Sequence, residues 1–222
     1  MNSKGGYYGS ALQAAAAAWA GEEVAELLLD HGADPSAKDG AYGSPLLAAS
    51  MNDHKKVAEI LLRRGADTEA KHPDSGLTPL LVAVNRRDVD LVSLLLQHKA
   101  NTESVDEKGR MPLLLAAGTG KMKLVDVLLD DGADKEAREP HSGRTPLLVA
   151  SERGDYKMVR LLLDRGADAN AEGGIYGNVM RAALYRQDGE AVKMISFLWG
   201  EGGDERGVGS ANFELPHLDM IN

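Results

Sequence analysis

Residues 143–171 read GRTPLLVASERGDYKMVRLLLDRGADANA and hold one complete copy of a unit that recurs along the chain. Thr145 followed by Pro146 predicts the start of a helix. A threonine side chain can accept a hydrogen bond from the free N–H groups of a first helical turn, and proline fits the first helical position because no donor is needed there. The apolar residues that follow favour a short first helix that ends near Gly154.

The second half of this unit predicts another helix. Met158, Leu161 and Leu162 follow i, i+3 and i+4 spacing, which places them on one face of a helix. Gly166 should end that helix, because glycine tolerates the left-handed backbone conformation that is common at helix ends. Residues 167–171 are too few for anything but an extended connection. Each unit therefore consists of a turn and two helices.

The unit returns at a nearly constant interval. The residues that follow the predicted capping positions are separated by 34, 34, 33, 34 and 33 positions. A period of this length with two helices per unit indicates a solenoid, in which each repeat contacts its neighbours and the chain forms one elongated domain. The six residues are Ala11, Pro45, Pro79, Pro112, Pro146 and Val179.

The motif TPL(L)xA…LLLxxGAD resembles the ankyrin repeat. The resemblance covers roughly residues 8–204 and implies an all-α fold, an ankyrin-repeat solenoid of about six helix-turn-helix repeats with protruding turns. The first and last units, with YGSALQAAA and YGNVMRAAL, are similar to repeats of fungal ankyrin arrays. Five units have a GAD-like end, at Gly32, Gly65, Lys99, Gly132 and Gly166.

The resemblance also divides the chain. Repeats are expected to start near residues 8, 42, 76, 109, 143 and 176, and the array is assigned to residues 1–207. The remaining residues, 208–222, are predicted to form a tail that packs as a cap on repeat six, because several of them are apolar. In repeat one, residues 22–30 are expected to form the second helix and to bury Val24, Leu27 and Leu28.

Three departures from the ankyrin pattern predict local effects on stability. Lys99 stands where other repeats have glycine, at a cost on the order of 1 kcal/mol if the left-handed geometry is kept. Met111 precedes Pro112 without a hydroxyl cap, at a cost of about 1 kcal/mol. Leucine at the histidine position of the family's TPLH motif should contribute about 2 kcal/mol when fully buried. That position holds Gln13, Leu47, Leu81, Leu114, Leu148 and Arg181.

The composition disfavours several classes of function. The chain of 222 residues has a net charge of −9, which argues against non-specific binding to nucleic acid. It has no cysteine, so it forms no disulfide and no thiolate metal site. No apolar run reaches the roughly 18 residues that a membrane helix needs. We expect neither nucleic acid nor a membrane as partner, and an intracellular, cytoplasmic location.

The side-chain patterns predict no catalytic residue, metal or cofactor. The six histidines form no pair at i, i+3 or i+4. Asp74-Ser75 and His141-Ser142 could be written as a nucleophile beside an acid or base, but these residue types are also ordinary turn formers. The glycines form neither a strand–GxGxxG–helix pattern nor a Walker loop, so no nucleotide site is predicted.

Three glutamates share one repeat position just after the GAD-like ends: Glu69, Glu103 and Glu136. Stacked at roughly 10 Å per repeat, they could imitate a carboxylate pair for acid and base catalysis. The interpretation that we prefer is a solvated acidic ladder, whose charge is offset by lysine and arginine nearby.

The resemblance implies a binding surface on the concave side of the solenoid, which ankyrin repeats build from turn tips and the ends of first helices. Arginine and tyrosine are typical of binding hot spots, and arginine pairs with carboxylates. The plainer alternative is that long arginine side chains keep the helix ends soluble. Five arginines are expected to fall on this face and to make it positive: Arg86, Arg110, Arg144, Arg153 and Arg186. The other predicted surface residues are Tyr42, Met51, Asn52, Leu77, Asn85, Thr119, Glu152, Tyr176 and Tyr185.

Two functions stay open at this point. In the first, the chain binds another protein through an acidic or carboxylate-bearing segment. In the second, the groove holds a small molecule, with or without catalysis, and the C-terminal tail closes it. An open groove favours a protein partner, whereas an enclosed apolar pocket of about 300 Å³ or more favours a small molecule.

Overall fold

The computed structural model describes residues 6–19, 21–186 and 189–190, and this part of the chain forms eleven short helices and one two-stranded hairpin. The helices are α1 (Ala11–Ala17), α2 (Glu22–Asp30), α3 (Pro45–Met51), α4 (Lys55–Arg63), α5 (Pro79–Asn85), α6 (Val89–Gln97), α7 (Pro112–Thr119), α8 (Met122–Asp130), α9 (Pro146–Arg153), α10 (Tyr156–Asp164) and α11 (Val179–Tyr185). The strands are β1 (Glu172–Gly173) and β2 (Gly177–Asn178).

Side-chain caps fix where the first helix of each repeat begins. The backbone N–H of Leu148 donates to Oγ1 of Thr145 at 3.3 Å, and Pro146 occupies the first helical turn, as predicted. Met111 makes no side-chain cap, which confirms that repeat four lacks the hydrogen bond of a hydroxyl cap. Equivalent caps come from Ser10, Ser44, Thr78 and Asn178.

The helices stack in two rows. The first helices of the repeats, α1, α3, α5, α7, α9 and α11, pack each on the next, and the second helices, α2, α4, α6, α8 and α10, form the other row. Leucine and alanine side chains fill a continuous core between the rows. The predicted all-α solenoid of helix pairs is therefore confirmed. One leucine position recurs fully buried in successive repeats, at Leu46, Leu80, Leu113 and Leu147.

Each second helix is followed by a residue in the left-handed backbone conformation, at the first position of the GAD-like motif, as predicted. Gly166 has φ of 78°, and Lys99 keeps the same geometry with φ of 66°. A second left-handed position follows the first helix in repeats two to five and was not predicted. Repeats four and five place Gly120 and Gly154 there, whereas the earlier repeats hold non-glycine residues, Asp53 with φ of 64° and Arg87 with φ of 59°.

The glutamate ladder links consecutive repeats. Oε1 of Glu69, Glu103 and Glu136 accepts a hydrogen bond from a backbone N–H in the following repeat, at 2.8–3.1 Å. The donors are Asn101, Asp134 and Asp168. The ladder thus has a structural role beyond the solvated one predicted, because each carboxylate is occupied by the neighbouring backbone.

The residues at the family's histidine position behave as predicted where they are leucine. Leu47, Leu81 and Leu148 are fully buried, and Leu114 is nearly so. Gln13 is also fully buried, and neither polar atom of its amide has a partner among the described residues. Leucine at this position therefore needs no compensating hydrogen bond, whereas glutamine does.

The second helix of repeat one begins and ends where predicted, but its buried face is different. Ala25 and Leu29 are buried, where α2 packs against α1 and α4. Val24 and Leu27, predicted to be buried, are exposed by 49% and 59%. Leu28, the third residue predicted to be buried, is half-buried and packs against the core. The prediction was wrong for Val24 and Leu27 because apolar residues in a sequence do not show which face of a helix its neighbours cover.

Repeat six starts with the β1–β2 hairpin and α11. The strands pair antiparallel, with Glu172 opposite Asn178. Residues 187–188 and 191–207 of repeat six and the predicted cap, residues 208–222, lie outside the described residues. Helices in the described ranges have nine residues at most, and none has the length and hydropathy of a membrane-spanning segment.

Candidate binding groove

A groove of about 530 Å³ crosses repeats three to six where the first helices end. We call it the concave groove, because helix ends and turns of the predicted concave surface form it. Its floor is largely apolar and comes from α7 and α9, with Leu114, Leu115, Gly118 and Val149. Ile175 and Tyr176, in the loop of the β1–β2 hairpin, line one wall.

Charged side chains surround this apolar floor. Four arginines line the groove, against two glutamates, Glu139 and Glu152. The local excess of positive charge contrasts with the net charge of −9 of the whole chain. The arginines are Arg87, Arg110, Arg144 and Arg153.

Arg110 is held by a carboxylate of its own turn. Its Nε donates to Oδ2 of Asp106 at 2.9 Å, and Nη2 lies 2.7 Å from the same oxygen. Burial alone would raise the pKa of Asp106, but the backbone N–H and guanidinium of Arg110 outweigh burial and lower that pKa below its ordinary value. The Asp106 side chain is only 5% exposed, so this pair orders the turn.

Arg144 bridges two glutamates. Its Nη2 lies 2.7 Å from Oε2 of Glu139, and its Nη1 lies 3.2 Å from Oε2 of Glu152. The hydroxyl of Ser142 donates to Glu139, and this bond, together with Arg144, lowers the pKa of Glu139 despite its burial. The network ties the turn before α9 to the end of that helix.

Glu152 also positions the hairpin of repeat six. Its Oε1 accepts a hydrogen bond from the backbone N–H of Ile175 at 3.2 Å. Gly174 lies so close that a Cβ there would come within 2.1 Å of the same oxygen. The adjacent Tyr176 ring packs against the Tyr185 ring, with centroids 4.6 Å apart. The groove wall is thus fixed by one carboxylate and one aromatic pair.

Seven of the fourteen predicted surface residues line the concave groove together: Asn85, Arg110, Thr119, Arg144, Glu152, Arg153 and Tyr176. Tyr185 contacts this wall through Tyr176. Nη1 of Arg86 donates to the carbonyl of Met51 at 3.0 Å, and Nη2 of Arg186 donates to the carbonyl of Arg153 at 3.3 Å.

The other predicted residues lie toward the first repeats. Leu77 and Met51 pack on a small apolar cluster of Leu47, Ala70 and Val82. The amide of Asn52 donates to the carbonyl of Ala48 within its own repeat. The Tyr42 ring stacks on the Tyr8 ring with centroids 6.2 Å apart.

Sequence reasoning missed Arg87, the floor residues and Glu139. Arg87 lies one residue beyond the predicted end of its helix and was therefore left out. A signal for it exists in the sequence, because Arg87 aligns with Gly120 and Gly154, eight residues after the proline of each repeat. Glu139 lies in a turn whose conformation the repeat pattern does not determine.

The candidate nucleophiles lack the partners that a hydrolytic site needs. Ser142 donates to Glu139, a carboxylate that Arg144 already neutralises and whose pKa is lowered, which makes it a poor base. In the Asp74-Ser75 candidate, the backbone N–H of Asp74 donates to Nδ1 of His72 at 3.3 Å, and neither the Asp74 carboxylate nor the Ser75 hydroxyl forms a hydrogen bond with a described residue. Within residues 6–19, 21–186 and 189–190, no group of three histidine or acidic residues could hold a metal ion.

The paired helices and their regular stacking define a helical repeat protein. The family described as Ankyrin repeats (3 copies) matches residues 12–106, 46–139 and 80–173. The chain therefore belongs to the ankyrin repeat family. Ankyrin repeats generally mediate protein–protein interaction.

Solved structures extend this comparison. The chain resembles the ankyrin repeat domain of Bcl-3, which is described as a unique member of the IkappaB protein family, with 26% sequence identity and a TM-score of 0.75. The alignment covers 88% of this chain and 87% of that chain. A comparison with curated protein sequences finds no match.

Proposed function

We propose that the chain is a protein-binding module that holds an acidic or carboxylate-bearing segment of a partner protein in the concave groove. The observation that carries this proposal is the excess of arginine around an apolar floor in an otherwise acidic chain. A positively charged surface attracts carboxylates and repels segments rich in lysine and arginine. An intracellular, cytoplasmic location, with its reducing conditions, fits the absence of cysteine.

The proposal is tested by cross-linking from defined positions. A photoreactive phenylalanine analogue replaces Thr119, which lines the groove, in the full chain incubated with an extract of its source cells. The matched control carries the same group at Lys123, an exposed residue of α8 in the other helix row. We expect a partner protein cross-linked from Thr119 and not from Lys123. The same products from both positions, or none from Thr119, would contradict a groove-bound protein partner.

A small-molecule ligand is the second candidate, and the groove volume of about 530 Å³ is the observation in its favour. The charged lining weighs against it, because small-molecule pockets are lined mostly by apolar and aromatic side chains. Native mass spectrometry of protein purified from its source separates the two. A bound mass of a few hundred daltons supports the small molecule, whereas a bound polypeptide supports the protein partner.

A further inference from the structure

The arginines of the concave groove fall into two classes. Arg110 and Arg144 are engaged by carboxylates of their own chain. Arg87 and Arg153 also line the groove, and both residues are exposed. Their guanidinium groups form no hydrogen bond or ion pair with any described residue. A carboxylate from a partner can therefore pair with these two without displacing an existing contact.

Arg87 also has an unfavourable backbone conformation. Its φ of 59° lies in the left-handed region, where a side chain is strained. Repeats four and five avoid this strain with Gly120 and Gly154 at the same position. The arginine side chain forms no hydrogen bond or ion pair with a described residue that would offset the strain, so polar interactions within the fold do not explain its presence.

We propose that Arg87 and Arg153 are the two residues that bind carboxylates of the partner segment, while Arg110 and Arg144 hold the groove in shape. This inference rests on the proposed function and specifies its ligand. Arginine pairs with a carboxylate through two parallel N–H···O bonds, which gives the contact orientation as well as charge.

The positions of the two arginines define the partner segment. Arg87 and Arg153 belong to repeats three and five, so their backbones lie roughly 20 Å apart at about 10 Å per repeat. An extended segment covers that distance in about six residues. Leu115, which also lines the groove, belongs to repeat four, the repeat between those of the two arginines. The segment that fits is an extended acidic peptide with an apolar residue midway between two acidic residues.

The test measures fluorescence anisotropy of a labelled peptide with the sequence EGSLSGE, which has this pattern. The matched peptide QGSLSGQ has the same length and lacks the side-chain carboxylates, and both peptides carry a C-terminal amide. We expect the wild-type chain to bind the acidic peptide about tenfold more tightly than the glutamine peptide. Arg87→Gly should weaken binding of the acidic peptide about tenfold without lowering Tm, because glycine relieves the strained conformation. Arg153→Ala should weaken binding to a similar extent.

Lys99→Gly is the control variant for Arg87→Gly. It removes the same charge and the same type of left-handed strain, with φ of 66°, but Lys99 ends the second helix α6 and does not line the groove. Lys99→Gly should leave peptide binding unchanged.

The inference is overturned if Arg87→Gly binds the acidic peptide as the wild type does, if Lys99→Gly weakens binding equally, or if the wild type does not prefer the acidic peptide. Those results leave the proposed function standing as long as a partner still cross-links from Thr119. If no partner cross-links from Thr119 but the peptides bind as expected, the proposed protein partner is wrong and the carboxylate site at Arg87 and Arg153 still stands.

Discussion

At the scale of the residue, Met111 and Thr145 show how one hydroxyl changes a helix start. Both residues precede the first proline of a repeat, and they have nearly the same backbone conformation, with φ of −88° and −89°. Only Thr145 accepts a hydrogen bond from the first turn of its helix. Met111→Thr should therefore raise the free energy of unfolding by about 1 kcal/mol, measured by urea denaturation.

The control for this substitution is Met111→Val, which has the branched shape of threonine without its hydroxyl. Valine should give none of the gain. Equal stability of the threonine and valine variants would mean that side-chain shape, and not the cap, determines stability at this position.

Caps of this kind are predictable from sequence because donor and acceptor lie within three residues of each other. The left-handed geometry of Lys99 was predictable for the same reason, since it follows a repeated local motif. The partners of Arg110 and Arg144 were not predictable in this way. Each arginine had several carboxylates in reach along the sequence, and the folded turns select Asp106 in one case and the Glu139 and Glu152 pair in the other.

At the scale of the element, the glutamate ladder couples adjacent repeats. Oε1 of Glu103 accepts from the backbone N–H of Asp134 at 3.1 Å, and this bond joins the end of repeat three to the end of repeat four. Glu103→Ala should speed amide hydrogen exchange at Asp134 and lower the free energy of unfolding by about 0.5 kcal/mol, because the bond is exposed to water. Glu103→Gln retains an acceptor oxygen and should leave exchange close to that of the wild type. Identical exchange in all three proteins would contradict the coupling.

Helix positions were predicted well because the 33–34 residue period constrains every repeat at once. The burial of α2 was predicted badly, since the pattern that marks Val24 and Leu27 as apolar carries no information on whether a neighbour covers them. The β1–β2 hairpin was also missed. Its two-residue strands are too short to produce an alternating pattern, and the contact of Glu152 with Ile175 that supports it joins residues 23 positions apart.

At the scale of the whole molecule, the acidic residues stabilise the array through turns and helix ends. The pKa values of Asp67, Asp88, Asp106 and Glu139 are all lowered in the folded chain. For Asp88, burial would raise the pKa, but hydrogen bonds from Lys55 and from the backbone N–H of Leu91 outweigh it. These carboxylates lie in repeats two to four, so the stability of these repeats depends on pH in the same direction.

The direction of that dependence follows from linkage. A carboxyl group with a lowered pKa in the folded state binds fewer protons than in the unfolded chain, so its contribution to stability is present above its ordinary pKa, 3.8 for aspartate and 4.5 for glutamate. That contribution is lost as the pH falls through the lowered pKa. The free energy of unfolding should therefore stay constant between about pH 7 and 5 and decrease from about pH 4.5 downward.

Asp106→Asn tests this mechanism at one group. The variant loses the charged pair with Arg110, so it should be less stable than the wild type by about 1 kcal/mol at pH 7. The difference should shrink as the pH falls below 3.8, the ordinary aspartate pKa, and vanish once the pH is below the lowered pKa of Asp106, where the wild-type carboxyl group has also lost its charge. Asp74→Asn is the control, because the Asp74 residue is exposed and its carboxylate forms no hydrogen bond or ion pair with a described residue. That variant should follow the wild-type curve throughout. A constant difference between wild type and Asp106→Asn across the whole range would show that the asparagine disturbs the turn itself, and the acid sensitivity of the array would then have to come from other carboxylates.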